Sequence, residues 1–383
     1  MKGLSVEDSR VKTVSNRSKL WIAPVLVLFG CTHVKTVSTV DGKHEVKFDE
    51  VVITGDLALE KLNAEELFAG GTSYFASDDF GQAARYFGRL ADFHPNSIHR
   101  RAALYNAGLS LEKLKLWEEA HQRFLELADP AKGTGDSLDA AFRLAETLYH
   151  QARFEEAVAV LQVIGARGDL PINKRMEARV QQGICELESG QPDLAESTLR
   201  KVMSTWQDLP DKDLVDEYFP AQAQFFMGEI YRIHYEAVTL DANKTSDQLA
   251  KDVEYKAELL LSAQGHYLRA IRIGNGYWAT AAGAQIGGLY ENLYEHMMHA
   301  PAPTELSKDE GSVYSQELRK KIRILITKAI TVYERTLEAA ERIGASSPFV
   351  EKTRESLKRM KDMLLADAKA EEETSPPARV PRG

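Results

Sequence analysis

Few stretches of this 383-residue chain hold the right residue types at spacings that chemistry needs. Pro130-Ala131-Lys132-Gly133-Thr134-Gly135 carries glycines like those of a phosphate loop, whose backbone N–H groups wrap an anion. It lacks the Lys-Ser/Thr pair and the preceding strand, so it reads as a plain connecting loop. His296 and His299 lie three apart on a helical stretch, beside Glu295. A zinc site needs at least one further ligand, and no Cys/His group lies nearby. His94 and His99 flank Pro95-Asn96, a solvated turn. Asp and Glu number 57, so two carboxylates close in sequence single out nothing. No nucleophile–base or acid–base set stands out. The sequence reads as a non-enzyme, with no cofactor, no metal and no small-molecule substrate. The residue with the clearest chemistry is Cys31.

Leu20–Phe29 reads LWIAPVLVLF, and Gly30-Cys31 follows. Arg10, Lys12, Arg17 and Lys19 precede it. A basic region, a short apolar run and a small residue are the layout of a secretory signal. Ten residues at 1.5 Å each fall short of a bilayer core of about 30 Å. Leu28-Phe29-Gly30-Cys31 resembles the lipobox of bacterial lipoproteins, in which the cysteine becomes the lipid-bearing first residue. Phe29 departs from the small or β-branched residue usual there. An ordinary signal peptide or an uncleaved anchor is the competing reading. The resemblance implies a membrane tether through lipid on Cys31. Because Thr32 rather than Asp follows, it also implies an outer-membrane address facing the periplasm.

Charged residues make up 27% and apolar residues 44%, an ordinary globular balance. Net charge is −9, and the first 30 residues hold five basic and two acidic groups, leaving the rest near −12. An acidic body argues against nucleic acid as a partner. With Cys31 lipidated, Cys185 stands alone, and its helical setting points to a small buried apolar role.

The chain repeats itself. Gly71, Gly108, Ala145 and Gly183 recur at intervals of 37, 37 and 38. Twelve residues after each stands Ala83, Ala120, Ala157 or Ala195, and four further on Phe87, Phe124, Leu161 or Leu199. Pro95, Pro130, Pro171 and Pro210 close the units. Such a period marks stacked helix pairs. Small residues let two helices approach, and the large apolar residue shares a face with the Ala. Proline ends the second helix. Ser77-Asp78-Asp79, Lys113-Leu114-Lys115, Gln151-Ala152-Arg153 and Ser189-Gly190-Gln191-Pro192 read as the turns.

The first unit, with Gly71, Tyr74, Ala83, Phe87 and Pro95, resembles the tetratricopeptide repeat. Gly108, Ala120 and Phe124 carry the resemblance in the second unit, Ala157 in the third, Gly183 and Ala195 in the fourth. It implies an all-α fold, a tetratricopeptide-like helix-pair solenoid with irregular longer helix pairs towards the C-terminus. The expected plan is a signal at 1–30 and a tether with a possible β segment at 31–63. Four repeats at 64–210, longer pairs and a capping helix at 211–370, and a disordered tail at 371–383 follow. In the longer pairs Gly228 takes the small position, its partner helix carrying Ala263, Tyr267 and Ala270, and Gly287-Gly288 marks the crossing with a helix carrying Ala329 and Tyr333. Thr32–Asp56 alternates and is rich in Val and Thr. It reads as a flexible tether, with strand addition to a partner kept open.

In this family the first helix of each unit lines the concave wall. On that alignment the groove holds Phe68, Phe75, Tyr105, Leu109, Phe142, Tyr149, Val180 and Ile184. The stripe reads as apolar and aromatic with few charges, suited to an apolar or amphipathic peptide. Packing within the chain is the competing use for these side chains. The Lys/Asn clamp of peptide-tail-binding relatives is missing. Together the resemblances imply a non-catalytic, lipid-anchored scaffold or adaptor binding envelope proteins in motility, secretion or outer-membrane assembly machinery. The alternative is a regulator of peptidoglycan synthesis that binds a synthase or glycan.

Overall fold

A computed structural model describes residues 59–212, 215–240, 244–298 and 306–374. Every long regular element among them is a helix. Eight helices form four short antiparallel pairs: α1 (Ala64–Ala76) with α2 (Phe80–Phe93), α3 (Arg100–Lys113) with α4 (Trp117–Leu125), α5 (Asp136–His150) with α6 (Phe154–Ala166), and α7 (Ile172–Glu188) with α8 (Pro192–Gln207). Five longer ones follow: α9 (Tyr218–Ala237), α10 (Ser246–Ile273), α11 (Gly276–Met298), α12 (Lys308–Ile343) and α13 (Pro348–Thr374).

Local chemistry sets the ends. Asn63 and Glu66 form a reciprocal capping box on α1, the Glu66 N–H donating to Asn63 Oδ1 at 3.0 Å and the Asn63 N–H to Glu66 Oε2 at 2.9 Å. Thr245 with Gln248 and Ser307 with Glu310 repeat the device on α10 and α12. Gly274 and Gly344 end those two helices in left-handed conformation, at φ 108° and 64°. Turns inside the short pairs also share one conformation. Asp78, Lys115, Ala152 and Gly190 have φ of 59°, 61°, 58° and 79°, and they occupy the same place in successive units.

The expected crossings are present. A Cβ placed on Gly71 would sit 2.8 Å from the Phe87 ring, one on Gly108 2.5 Å from Phe124, and one on Gly183 2.8 Å from Leu199. In the longer pairs Gly228 meets Tyr267 at 2.6 Å, and Gly287 lies directly against the Tyr333 ring. Glycine is required there because any side chain would strike its partner. One contact repeated along successive helix pairs makes the fold an all-α, tetratricopeptide-like solenoid whose longer pairs continue the stack. A single hydrophobic core runs from Met176 to Met360, so α7 and α8 share their core with the C-terminal pairs.

Helix α13 continues through Thr374, four residues into the stretch expected to be a tail. Its Ala, Lys and Glu residues favour helix throughout this stretch. Cys185 is buried, and burial pushes its thiol up to about 12. The 130–135 stretch is a loop between α4 and α5. Arg167 Nη1 from the next unit donates to the Gly133 carbonyl at 2.7 Å, holding the loop as structure. Cys31 and Thr32–Asp56 lie outside the described residues. No described helix is long and apolar enough to cross a membrane.

Candidate functional site

The first helices of the pairs form one layer: α3 touches α5, α7 touches α9, and α9 touches α11. Their outward faces are those that the repeat alignment assigns to the inner wall. Val180 is fully buried and Phe142 nearly so, so these two act from within the packing. Phe68, Phe75, Tyr105, Leu109, Tyr149 and Ile184 are half-buried. Much of their surface meets neighbouring rings. Phe68 stacks on His99 at 4.5 Å, Phe75 meets Phe80 edge-on, Tyr105 meets Phe124, and Tyr149 meets Phe154. Each ring thus holds one pair or one junction together while leaving an edge on the wall.

The wall also carries charge that the apolar reading understated. Arg143 Nη1 donates to Glu146 Oε2 at 2.9 Å and to Glu112 Oε2 at 3.4 Å. The Glu112 side chain is only 10% exposed, and its Oε1 is buried with no hydrogen-bond partner. Burial pushes its carboxyl up to about 8, which Arg143 only partly offsets. Glu177 accepts from Lys174 Nζ at 3.1 Å, yet burial still holds its carboxyl above the usual range. Glu188 is raised too, by burial and then by the like charge of Glu229.

These groups alternate with tyrosines along two lines. Asp139 acts through space on Tyr105 and on Glu177, and Glu177 acts on Tyr218. Glu188 stands between Tyr149 and Glu229 in the same sense. Among the described residues no ion pair is formed by Asp139 or Glu188. A signal for the first line was present in the repeat: Asp139 and Glu177 each lie three residues before the Phe142 and Val180 positions. Arg143 has no counterpart in the other units, so no periodic pattern announced it.

Chemically, carboxylates such as Asp139 and Glu146 on this face favour cations and hydrogen-bond donors. No group of three or more His, Cys, Asp or Glu suited to a metal ion occurs among the described residues.

Among solved structures, a tetratricopeptide repeat protein from Parabacteroides merdae is similar at 14% identity and TM-score 0.35, over 78% of this chain and 98% of its own. A TPR repeats protein from Bacteroides fragilis is similar at 13% and 0.29, over 79% and 99%. A Rap protein complexed with competence and sporulation factor is similar at 12% and 0.32, over 83% and 79%. No family model and no curated protein matches the chain. Scores this low carry nothing about partners, and the solenoid stands on its own crossings.

Proposed function

We propose that the chain is a non-catalytic scaffold of a bacterial cell-envelope complex, anchored to the outer membrane by lipid on Cys31 and facing the periplasm. Motility, secretion and outer-membrane assembly machinery are the settings that suit it. The observation that carries the reading is the stack of helix pairs presenting a continuous wall of half-buried tyrosines and carboxyls, with no catalytic grouping among the described residues. Stacked repeats turn one position per unit into a docking stripe for other proteins. The apolar run ending at Cys31 supports the tether, because a lipidated N-terminal cysteine bears several acyl chains, enough for stable anchoring.

Replacing Cys31 by Ala tests the tether. The variant keeps its helical circular dichroism and leaves the membrane fraction for the soluble one. Flotation of C31A with membranes after a salt wash would contradict lipid anchoring. Crosslinking with mass spectrometry in the native host tests the scaffold role, the expected crosslinks falling on α3, α5 and α7.

The regulator of peptidoglycan synthesis remains the second reading, and one observation favours it. Tyr105, Arg143 and Asp139 set an aromatic edge among groups that hydrogen-bond sugars. Retention on purified peptidoglycan, lost on Tyr105→Ala, would select it.

A further inference from the structure

Glu112 is a group the scaffold reading leaves unexplained. Arg143 is divided between Glu146 at 2.9 Å and Glu112 at 3.4 Å, and Glu112 Oε1 has no donor. Two carboxyls thus compete for one guanidinium. Lys113, the remaining cation near Glu112, is exposed on the same helix. Further along the wall Lys174 is committed to Glu177 and lies over the Phe142 ring at 5.0 Å. Asp139 and Glu188 have no ion-pair partner at all among the described residues. Arg101 of α3 donates to Ser137 Oγ at 2.6 Å. Between α3 and α7 the carboxyls of the wall thus outnumber its cations, and burial is what raises Glu112, Glu177 and Glu188.

Resting on the scaffold reading, we infer that the inner wall from α3 to α7 binds an extended basic segment of a partner protein, its Lys or Arg side chains lying between Tyr105 and Tyr149 and pairing with Asp139, Glu146 and Glu188. Charge complementarity selects this occupant. An acidic peptide would meet uncompensated carboxyls, and a second copy of this chain would bring its own net charge of −9. Glu146 is half exposed and so is the carboxyl a partner cation reaches first. A cation there releases Arg143 to close on Glu112, whose orphan oxygen then gains a donor. Glu112 consequently gives up its proton to the medium as the segment binds. The groups that face it in this exchange are Arg143 and Glu146 from α5 and Lys113 from its own helix, with Tyr105 alongside Arg143.

The test is titration calorimetry on the full-length protein with a peptide of alternating Lys and Leu and its Glu/Leu counterpart. The Lys peptide is expected to bind and the Glu peptide not. Binding should weaken about tenfold or more in E146Q/E188Q, and comparably at 0.5 M salt. A surface control, E118Q/E155Q on the second helices, should leave it unchanged. At pH 7, titrations in buffers of different ionisation heat should show proton release, absent in E112Q. Equal binding of both peptides, or equal losses in the wall and control variants, overturns the inference. Crosslinks to a partner through a segment without basic residues overturn it too, while leaving the scaffold role standing.

Discussion

The short pairs α1–α8 and the long pairs α9–α13 solve the same crossing in two ways. Both press a ring or branched chain of one helix onto a glycine or alanine of its partner. In the short pairs that residue is Phe87, Phe124, Leu161 or Leu199, wholly apolar. In the long pairs it is tyrosine, and its hydroxyl is tied down. Tyr267 Oη donates to Glu229 Oε1 at 2.5 Å, and Tyr333 Oη donates to Glu291 Oε2 at 2.8 Å. Each carboxylate is itself held. Arg232 and Gln285 donate to Glu229, at 2.7 and 2.8 Å, and Arg359 of α13 donates to Glu291 at 2.6 Å. Helices of 9–17 residues are aligned by their turns. Those of 20–36 residues can slide along one another, and an apolar crossing alone defines axial position weakly. A buried polar pin makes one register better than its neighbours.

The largest effect should come from removing a pin. Glu229→Leu takes the acceptor from buried Tyr267 and part-buried Gln285 and leaves Arg232 with Glu236 alone, and breaking one side of a buried pair typically costs about 3–5 kcal/mol. Denaturant unfolding is expected to show that loss. Hydrogen exchange should place it in α9–α11 rather than in α1–α4. Tyr267→Phe, which deletes one hydroxyl and leaves the carboxylate its other donors, should cost about 1–2 kcal/mol. An effect of Glu229→Leu no larger than that of Tyr267→Phe would mean that the ring contact, not the pin, holds the long pairs.

Next in size is overpacking at an apolar crossing. Gly108→Val drives a branched side chain into the Phe124 ring, where even a Cβ lies too close. About 1–3 kcal/mol is expected, read from the melting temperature. A Cβ on Gly288, one residue from a crossing, would meet only the Tyr333 hydroxyl at 4.0 Å, an ordinary contact, so Ala there should change little.

How much of this was legible follows from the same contrast. Apolar crossings repeat at fixed intervals, so Gly71, Gly108 and Gly183 with their partners could be read from spacing. Gly228 could be read as a small position, but not which of Ala263, Tyr267 and Ala270 it meets, because the link between its two helices is longer. The pins could not be read. Glu229 of α9 meets Gln285 of α11, and Glu291 of α11 meets Arg359 of α13, only once those helices are packed. The wall charges were half legible. Asp139 and Glu177 share a repeat position, but the burial of Glu112 and its pairing with Arg143 across from α5 show only in the packed fold. Val180 was read as wall because its repeat position is aromatic elsewhere. In the fold a smaller side chain at that place sinks into the core.

Acid and base should separate the two regions as well. Burial lowers His266 in α10 to about 4, with Arg269 and Arg200 adding to the shift. Unfolded, it binds a proton near pH 6.5, so its contribution to stability falls as pH drops from 6.5 towards 4. Lys256, whose Nζ donates to the Tyr235 and Val238 carbonyls, is lowered by burial to about 8. It adds stability as pH rises from 8 towards 10.5. Glu112 runs the other way. Its raised carboxyl holds a proton that the unfolded chain releases near pH 4.5, so stability falls as pH rises from there to about 8. Glu112→Gln should therefore stabilise the fold at pH 8 by at least about 1 kcal/mol and leave the melting temperature unchanged at pH 4.5. A uniform shift at both would show that the carboxyl is ionised throughout.

The smallest effect lies in the turns. Asp78, Lys115 and Ala152 adopt the left-handed conformation that Gly190 adopts in the fourth unit. A Cβ there crowds the following carbonyl and costs about 1–2 kcal/mol, which glycine avoids. Glycine also frees the unfolded chain, which takes back about 0.5–1 kcal/mol. Ala has no side-chain hydrogen bond to offset the strain, whereas Asp tolerates this conformation better. Ala152→Gly is therefore expected to stabilise by about 0.5 kcal/mol, and Asp78→Gly by less. The long pairs supply the contrast, since glycine already occupies their left-handed helix ends at Gly274 and Gly344. Thermal melts of the two turn variants settle the order, and a loss of stability in Ala152→Gly would show that the chain entropy outweighs the strain.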